Sequence, residues 1–270
     1  VHERRMKVLI IGRGRVGRGL RRALASSDAV EVTLSGRKVS PARLRGADVV
    51  VLAVSDDAIE PVATAIAPSL RPQATVLHCA GARSVDALAA CEARGAAVGI
   101  MHPLVSFPVK RQSPSLINTT FVVSGSKRAI SASRRVAHVC GARILVARTG
   151  DPAYHAAAAL VANGAAALAF VSVGILARLG FDKRAAERAV GGLLETVGQN
   201  VQSLGVPNAL TGPIARGEAA AVSNHRKALR RVSRPALQTY DALVPVIVRC
   251  ARAAGLPKSK AAEIRATLGR

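Results

Sequence analysis

The sequence predicts an α/β protein, with a doubly wound parallel sheet over residues 1–150 and an all-helical domain over residues 151–270. Three observations predict it. An apolar run, Val8-Leu9-Ile10-Ile11, leads straight into Gly12-Arg13-Gly14-Arg15-Val16-Gly17. Short β-branched runs then alternate with helical stretches as far as residue 147. After Gly150-Asp151-Pro152 the strand-like runs stop, and Ala-rich stretches of helical length replace them.

The first run has the length and branching of a buried parallel strand. In the G-x-G-x-x-G that follows, Gly12 permits the tight turn off the strand. Gly14 lets the backbone approach a pyrophosphate, and Gly17 lets the next helix pack close to the sheet. The free N–H groups and positive end of that helix then meet the phosphates. Glycines at this spacing are a weak signal alone. Between a strand and a helix they are the Rossmann dinucleotide-binding fingerprint, which makes Gly12, Arg13, Gly14, Arg15, Val16 and Gly17 cofactor-binding candidates. A glycine-rich turn in some other α/β protein is the alternative.

The first helix is expected over Val16–Ala25, with Val16, Leu20 and Leu24 on one face. A second strand, Val30–Leu34, ends in Ser35-Gly36-Arg37-Lys38. An NAD-binding fold places an acid near this position, on the ribose 2′-hydroxyl. Here a hydroxyl and two cations stand instead, and Arg37 can grip a 2′-phosphate bidentately. Ser35, Arg37 and Lys38 therefore point to NADP, with a plain basic surface turn as the other reading. The next strand, Ala47–Val54, brings Val54 and Ser55 to the carboxyl ends of the strands, where ligands bind in such sheets. Asp57 is expected to cap the helix over Ala58–Ala67. A strand over Thr75–His78 leads to Cys79-Ala80-Gly81, and one over Gly95–Ile100 delivers Met101-His102-Pro103 to the same edge. A loop rich in Pro and Ser runs from Leu104 to Ser115. Strands over Thr120–Val123 and Ala142–Val146 then flank a helix over Ser126–Val139. Strands alternating with helices make a doubly wound parallel sheet.

In the second half, Ala156–Ala177 is almost free of charge and long enough to span a membrane. It is dominated by Ala, interrupted by Asn163, Gly164, Ser172 and Gly174, and opens just after His155. A helix apolar all round also suits a large core or a dimer interface, and that is the expectation here. Further helices are expected over Lys183–Leu204, Gly217–Arg231, Pro235–Ala253 and Lys258–Leu268.

Half of the 270 residues are hydrophobic but only 2% are aromatic, so the core is built from Ala, Val, Leu and Ile. A formal charge of +23 would suit a nucleic-acid binder. The arginines are spread along the whole chain, and no basic run alternates with aromatics, so the charge reads as a solvated surface that favours anionic ligands. Cys79, Cys91, Cys140 and Cys250 show neither C-x-x-C pairing nor metal-ligand spacing. Reduced thiols, no bound metal and a cytoplasmic setting are expected. Val1-His2-Glu3-Arg4-Arg5 is short and charged, and does not read as a signal peptide.

Four residues, His102, His155, Asn163 and Thr211, are the candidates for the chemistry. His102 lies just past a strand end, before a proline that fixes the backbone. His78 is similarly placed, though a histidine in an apolar strand also fits as a satisfied core residue. His155 and Asn163 are eight residues apart on one helix, within about 80° of the same face. That face can orient a carbonyl or imine and supply a proton; it can equally be a polar network tying the helix to its neighbours. Thr211-Gly212-Pro213 with Arg216 can clamp a substrate carboxylate, or Thr211 can simply cap a helix. Lys183 is the lone lysine early in the second domain, at an expected turn.

Several stretches carry a family resemblance: Ile11–Gly17, Leu77-His78-Cys79-Ala80-Gly81, Met101-His102-Pro103-Leu104 with Phe107, Tyr154-His155-Ala156-Ala157 with Asn163, Leu210–Gly217, and His225 with Tyr240. On these residues the chain resembles the Rossmann-like oxidoreductases with a C-terminal domain of unknown function 2520. Its first half is similar to the NADP-binding domain of pyrroline-5-carboxylate reductase and 3-hydroxyisobutyrate dehydrogenase. Glu218 departs from the Asp that the pattern leads one to expect. The resemblance implies NADP-dependent oxidation or reduction, without fixing a substrate or a catalytic residue. The expectation is an NADP-dependent oxidoreductase acting on a small carbonyl, imine or hydroxy acid, forming a homodimer. Its site lies in a cleft bounded by Ser55, His102, His155, Asn163 and Thr211. The alternative is a non-catalytic NADP-binding sensor or scaffold.

Overall fold

The computed structural model describes residues 4–108 and 113–269. The elements run β1 (Met6–Ile11), α1 (Arg15–Leu24), β2 (Val30–Ser35), α2 (Pro41–Gly46), β3 (Val49–Leu52), α3 (Asp56–Ile66), β4 (Thr75–His78), α4 (Ala89–Glu92) and β5 (Ala97–Pro103). They continue with β6 (Thr120–Gly125), α5 (Lys127–Val139), β7 (Arg143–Val146), α6 (Pro152–Arg178), α7 (Lys183–Leu204), α8 (Ala219–Val232), α9 (Arg234–Ala253) and α10 (Lys258–Ala266).

One seven-stranded sheet has the order β2-β1-β3-β4-β5-β6-β7. In β1, Ile10 stands beside Leu34 of β2 and Val51 of β3. Side chains alternate between the two faces of a strand, and both faces here are covered. Val8, Ile10, Val49 and Val51 pack with Leu20 and Leu24 of α1 and with Val136 of α5. Leu9, Ile11, Val50 and Leu52 pack on the other side with Leu44 of α2 and with Ile59, Val62 and Ile66 of α3. Burial on both faces is why these strands read as unbroken apolar runs rather than alternating ones.

The first five strands are parallel, as expected of a doubly wound sheet. The β5–β6 pair is the exception: it is antiparallel, and β7 runs parallel to β6. A parallel return needs a crossover, usually helical. Among the described residues between Leu104 and Thr119 there is no helix, so β6 comes back along β5 in the opposite sense. Gly99 and Gly125 face each other in that pair, and a Cβ on either would lie within 2.6 Å of the opposing backbone. Asp57 also differs from expectation. Helix α3 begins at Asp56 with Ser55 in the cap position, so both acids sit in the first turn and favour its positive end.

The chain divides into two compact units, residues 1–162 and 163–270, so the division falls inside α6 rather than at Gly150. In the second unit Val222, Val244, Val248, Ala251, Leu256, Ala261 and Ile264 form the core. Asp241 accepts both arms of Arg226 at 2.7 and 3.0 Å, holding α8 to α9. A buried core around α6 is not what the fold contains. No residue of α6 is buried, and α7 buries only Ala186. Leu160, Val161 and Phe170 are 76%, 74% and 81% exposed. Helix α6 has a mean hydropathy of 2.1 over its most apolar window, and by length and composition could cross a membrane.

Candidate active site

From β2 the chain passes over β1 to β3, so the sheet order reverses between β1 and β3, the place where open α/β sheets bind ligands. Gly12 turns off β1 at φ +123°, and a Cβ there would lie 2.2 Å from the Ala53 carbonyl oxygen. A Cβ on Gly17 would lie 1.9 Å from the Gly12 carbonyl oxygen, so α1 sits directly against the turn. Gly14 has no such crowding; its nearest neighbour would be the Ala53 carbonyl oxygen at 3.9 Å. Its hydrogen faces open space at the head of α1, where a ligand can approach the backbone. No side chain caps α1 and no acid occupies its first turn. Arg18 is the first residue to donate back, to Gly14 at 3.0 Å, which leaves the N–H groups of Arg15, Val16 and Gly17 for an anion.

The predicted cofactor side chains divide. Ser35 is buried, its carbonyl accepts from the Gly12 amide at 2.9 Å, and its hydroxyl turns back to the Lys38 carbonyl at 3.5 Å. It builds the crevice and does not face a ligand. Arg37 and Lys38 are exposed at the end of β2, and the Arg37 guanidinium reaches across to the Ser55 hydroxyl at 3.4 Å. Ser55 heads α3 without bonding its amides, so its hydroxyl stays on the crevice side. Val54 is half-buried and packs against the core, as Val16 does on α1. Arg13 is exposed. The Arg15 guanidinium donates to the Phe107 carbonyl at 2.8 Å, tying the loop after β5 to α1. Its backbone N–H and the remaining guanidinium donors have no partner among the described residues.

At the ends of β4 and β5 the two histidines have different roles. His78 is fully buried; Nδ1 accepts from the Ala80 amide at 3.3 Å, so Nε2 carries the proton and donates to the Ser84 carbonyl at 3.2 Å. Burial holds its pKa below the usual imidazole value, and it is a satisfied core residue. Cys79 beside it is inert, since burial pushes the thiol up to about 12. His102 is half-buried, and its Nδ1 lies 2.7 Å from the Tyr154 hydroxyl. The two rings meet edge to face at 5.5 Å. Gly81 makes room for the imidazole: a Cβ there would lie 3.0 Å from Cε1. Burial chiefly, with the charges of His155 and His78, lowers the His102 pKa against the opposing pull of Asp56. The ring is therefore neutral near pH 7. Burial also raises the Tyr154 pKa, so the phenol keeps its proton. The exposed His155 ring lies 6.3 Å from that of His102.

Tyr154 is the functional candidate that sequence reasoning missed. Neighbouring helical residues point about 100° apart, and an Ala-rich helix has no apolar stripe to say whether 154 or 155 faces the sheet. Its only signal was its place in the Tyr154-His155 pair. In the second unit Asn163 is exposed two turns after His155, and its side chain makes no hydrogen bond among the described residues. Thr211 is exposed in a loop and caps nothing, because α8 begins at Ala219. Arg216 is no free anion clamp: Glu218 takes both arms of its guanidinium, at 2.6 and 3.1 Å. Lys183 opens α7 behind the Asp182 cap. Among the described residues no cluster of His, Cys, Asp and Glu could hold a metal ion.

Residues 119–246 match the family model described as a domain of unknown function (DUF2520), from the edge of β6 into α9. No curated protein sequence matches the chain. Among solved structures, protein TM1727 from Thermotoga maritima is 23% identical over 92% of this chain and 99% of that one, with a TM-score of 0.67. Plasmodium falciparum pyrroline carboxylate reductase, solved with NADP bound, is 13% identical over 98% of both chains, at 0.62. An imine reductase from Streptomyces aurantiacus is 16% identical over 96% of this chain and 99% of that one, at 0.63. These likenesses establish a shared fold along nearly the full length. The family match itself is confined to residues 119–246, and the sheet that carries the glycine cradle at its switch point is of the Rossmann type.

Proposed function

We propose that this protein is an NADP(H)-dependent oxidoreductase that moves a hydride to or from a small carbonyl, imine or hydroxy acid. The observation that carries the reading is the Tyr154–His102 pair, 2.7 Å apart at the end of β5, in a sheet whose cofactor crevice is built from backbone. The residues present fit a dinucleotide. Gly12 and Gly17 leave no room for side chains, Gly14 leaves space, and the head of α1 offers unpaired amides. Arg37 and Lys38, where an NAD-binding fold has an acid, favour a 2′-phosphate. The NADP bound to the Plasmodium relative supports the same choice. When bound, the nicotinamide supplies or accepts the hydride.

The chain's own part is proton transfer. A neutral His102 can donate through Nδ1 to the Tyr154 oxygen, which leaves the phenolic hydrogen free for the substrate's oxygen or nitrogen. The same N–H then steadies the phenolate until solvent returns the proton. This positions an acid beside the reacting atom, which raises rates by roughly 10²–10⁴-fold. The bare apolar surfaces of α6 and α7 support a soluble homodimer that joins through them. The reading is tested by screening oxo acids, imines and hydroxy acids for oxidation of NADPH or reduction of NADP. Cofactor binding with no turnover on any class would leave the non-catalytic sensor as the better account.

A further inference from the structure

The opposite edge of the sheet, where β1, β3 and β4 begin, holds a pocket. Here Arg4, Asp48, Arg71, Gln73, Arg128 and Arg135 line a pocket of about 340 Å³. Four guanidinium groups line the pocket with one carboxylate, and two of them, Arg4 and Arg71, already pair with it. Asp48 accepts from Arg4 at 2.9 Å, from the Lys7 amide at 2.8 Å and from Arg71. Arg128 and Arg135 lie seven residues apart on one face of α5 and have no carboxylate partner among the described residues. Among the described residues the Arg128 side chain donates to the Gln73 carbonyl alone, and the Arg135 side chain makes no hydrogen bond.

Two further features mark the pocket. The Arg71 Nε is buried with no acceptor, and orphaned buried donors are rare. Gln73 adopts φ +68° in the turn closed by the Ala74 amide on the Arg71 carbonyl, at the position after proline where glycine is the usual residue. Non-glycine residues held in this region cluster at ligand sites. Glycine would relax the turn but remove a polar side chain from the pocket.

We propose that this pocket binds a small molecule bearing a pyrophosphate or longer phosphate chain, separately from the cofactor crevice. The planar forks of Arg128 and Arg135 match phosphate oxygens bidentately. The pocket exceeds what one phosphate fills and falls within the usual range for small ligands. Its excess of three positive charges balances a pyrophosphate group, which carries roughly three negative charges near neutral pH. The proposal does not depend on the oxidoreductase reading.

The test uses the full chain and sodium pyrophosphate as the probe, by isothermal titration at fixed ionic strength. Gly14→Val serves as the background, because a side chain there blocks phosphate at the head of α1. One pyrophosphate is expected per chain in Gly14→Val, with affinity falling at least tenfold when Arg128→Gln and Arg135→Gln are added. Arg135→Gln alone, at an exposed residue without a partner, keeps the fold and should give part of that loss. Absence of saturable binding in Gly14→Val would overturn the site, as would binding that the added substitutions leave unchanged. Pyrophosphate binding by the unmodified chain that disappears in Gly14→Val would assign it to the cofactor crevice instead.

Discussion

Tyr154→Phe is the sharpest perturbation of the proposed chemistry, because it removes one oxygen and keeps the ring against His102. That oxygen lies 2.7 Å from Nδ1 and is only partly solvated, so two effects follow. The first is structural and small: a lost neutral hydrogen bond costs about 0.5–1.5 kcal/mol. At about 2–4 °C per kcal/mol for a unit of this size, Tm should fall by roughly 1–6 °C. The second is kinetic and large. Loss of a positioned acid should lower kcat by roughly 10²–10⁴-fold, or about 3–5 kcal/mol of barrier at 1.36 kcal/mol per decade. NADPH affinity should not change, since the cradle at Gly12–Gly17 does not involve this residue. Fluorescence titration of NADPH and steady-state turnover on an active substrate separate the two effects. A kcat within about fivefold of the unmodified protein would refute the proton-donor role, since even weak general acids contribute about 10²-fold.

Cofactor choice is tested at Arg37: NADPH should bind at least tenfold more tightly than NADH, a charged phosphate pair being worth about 1.5–3 kcal/mol, and Arg37→Ala should remove most of that. Equal affinities in the unmodified protein would show the basic turn to be plain surface. Light scattering without detergent should give about twice the chain mass of 27.9 kDa, and a stable monomer would exclude association through α6 and α7. The pH dependence follows from His78 and His102, both held below the ordinary imidazole value by burial. Below about pH 6.5 the unfolded chain takes up protons that the folded chain refuses. Stability is therefore full above that pH and lost as pH falls toward the folded values; a Tm that rises on acidification from pH 7.5 to 5.5 would contradict the sign.

What could be read in the sequence depended on how much a physical rule constrained each segment. Strand β4 and helix α7 have the limits that pattern alone gives, Thr75–His78 and Lys183–Leu204. Strands buried on both faces and a long capped helix leave little choice. Helices α2 and α4 were not anticipated: the six residues Pro41–Gly46 and the four residues Ala89–Glu92 are too short to display a period. Strand direction has no period at all, which is why β6 read as parallel. Glycine positions translated well because sterics are local; the clashes at Gly12 and Gly17 are the ones the fingerprint requires. Side-chain roles translated poorly. Arg15 and Arg216 each engage a partner, a carbonyl 92 residues away and Glu218, that spacing alone does not reveal. His78 and His102 look alike in sequence, each at a strand end, and only the donors around them separate core from site.

Helix α6 explains why the second half resisted reading most. Its first turn is polar and committed: Asp151 accepts from the Ala153 amide at 2.7 Å, and Tyr154 meets His102. Beyond that turn the helix has almost no sidedness, and it buries nothing. An amphipathic helix states in its sequence which face is covered and therefore where its core lies. A helix apolar all round states only that something must cover it. Core, lipid and a second copy of the chain all satisfy that demand equally in composition, and the fold removes only the first. The proposed dimer rests on the second bare helix, α7. Its 22 residues expose Leu193, Val197, Val201 and Leu204 on a surface that also carries Arg184, Glu187, Arg188 and Glu195. Such a mixed surface suits a protein partner, since charges at bilayer depth are costly. Apolar and charged residues side by side on α7 thus weigh toward association between chains rather than insertion of α6 into lipid.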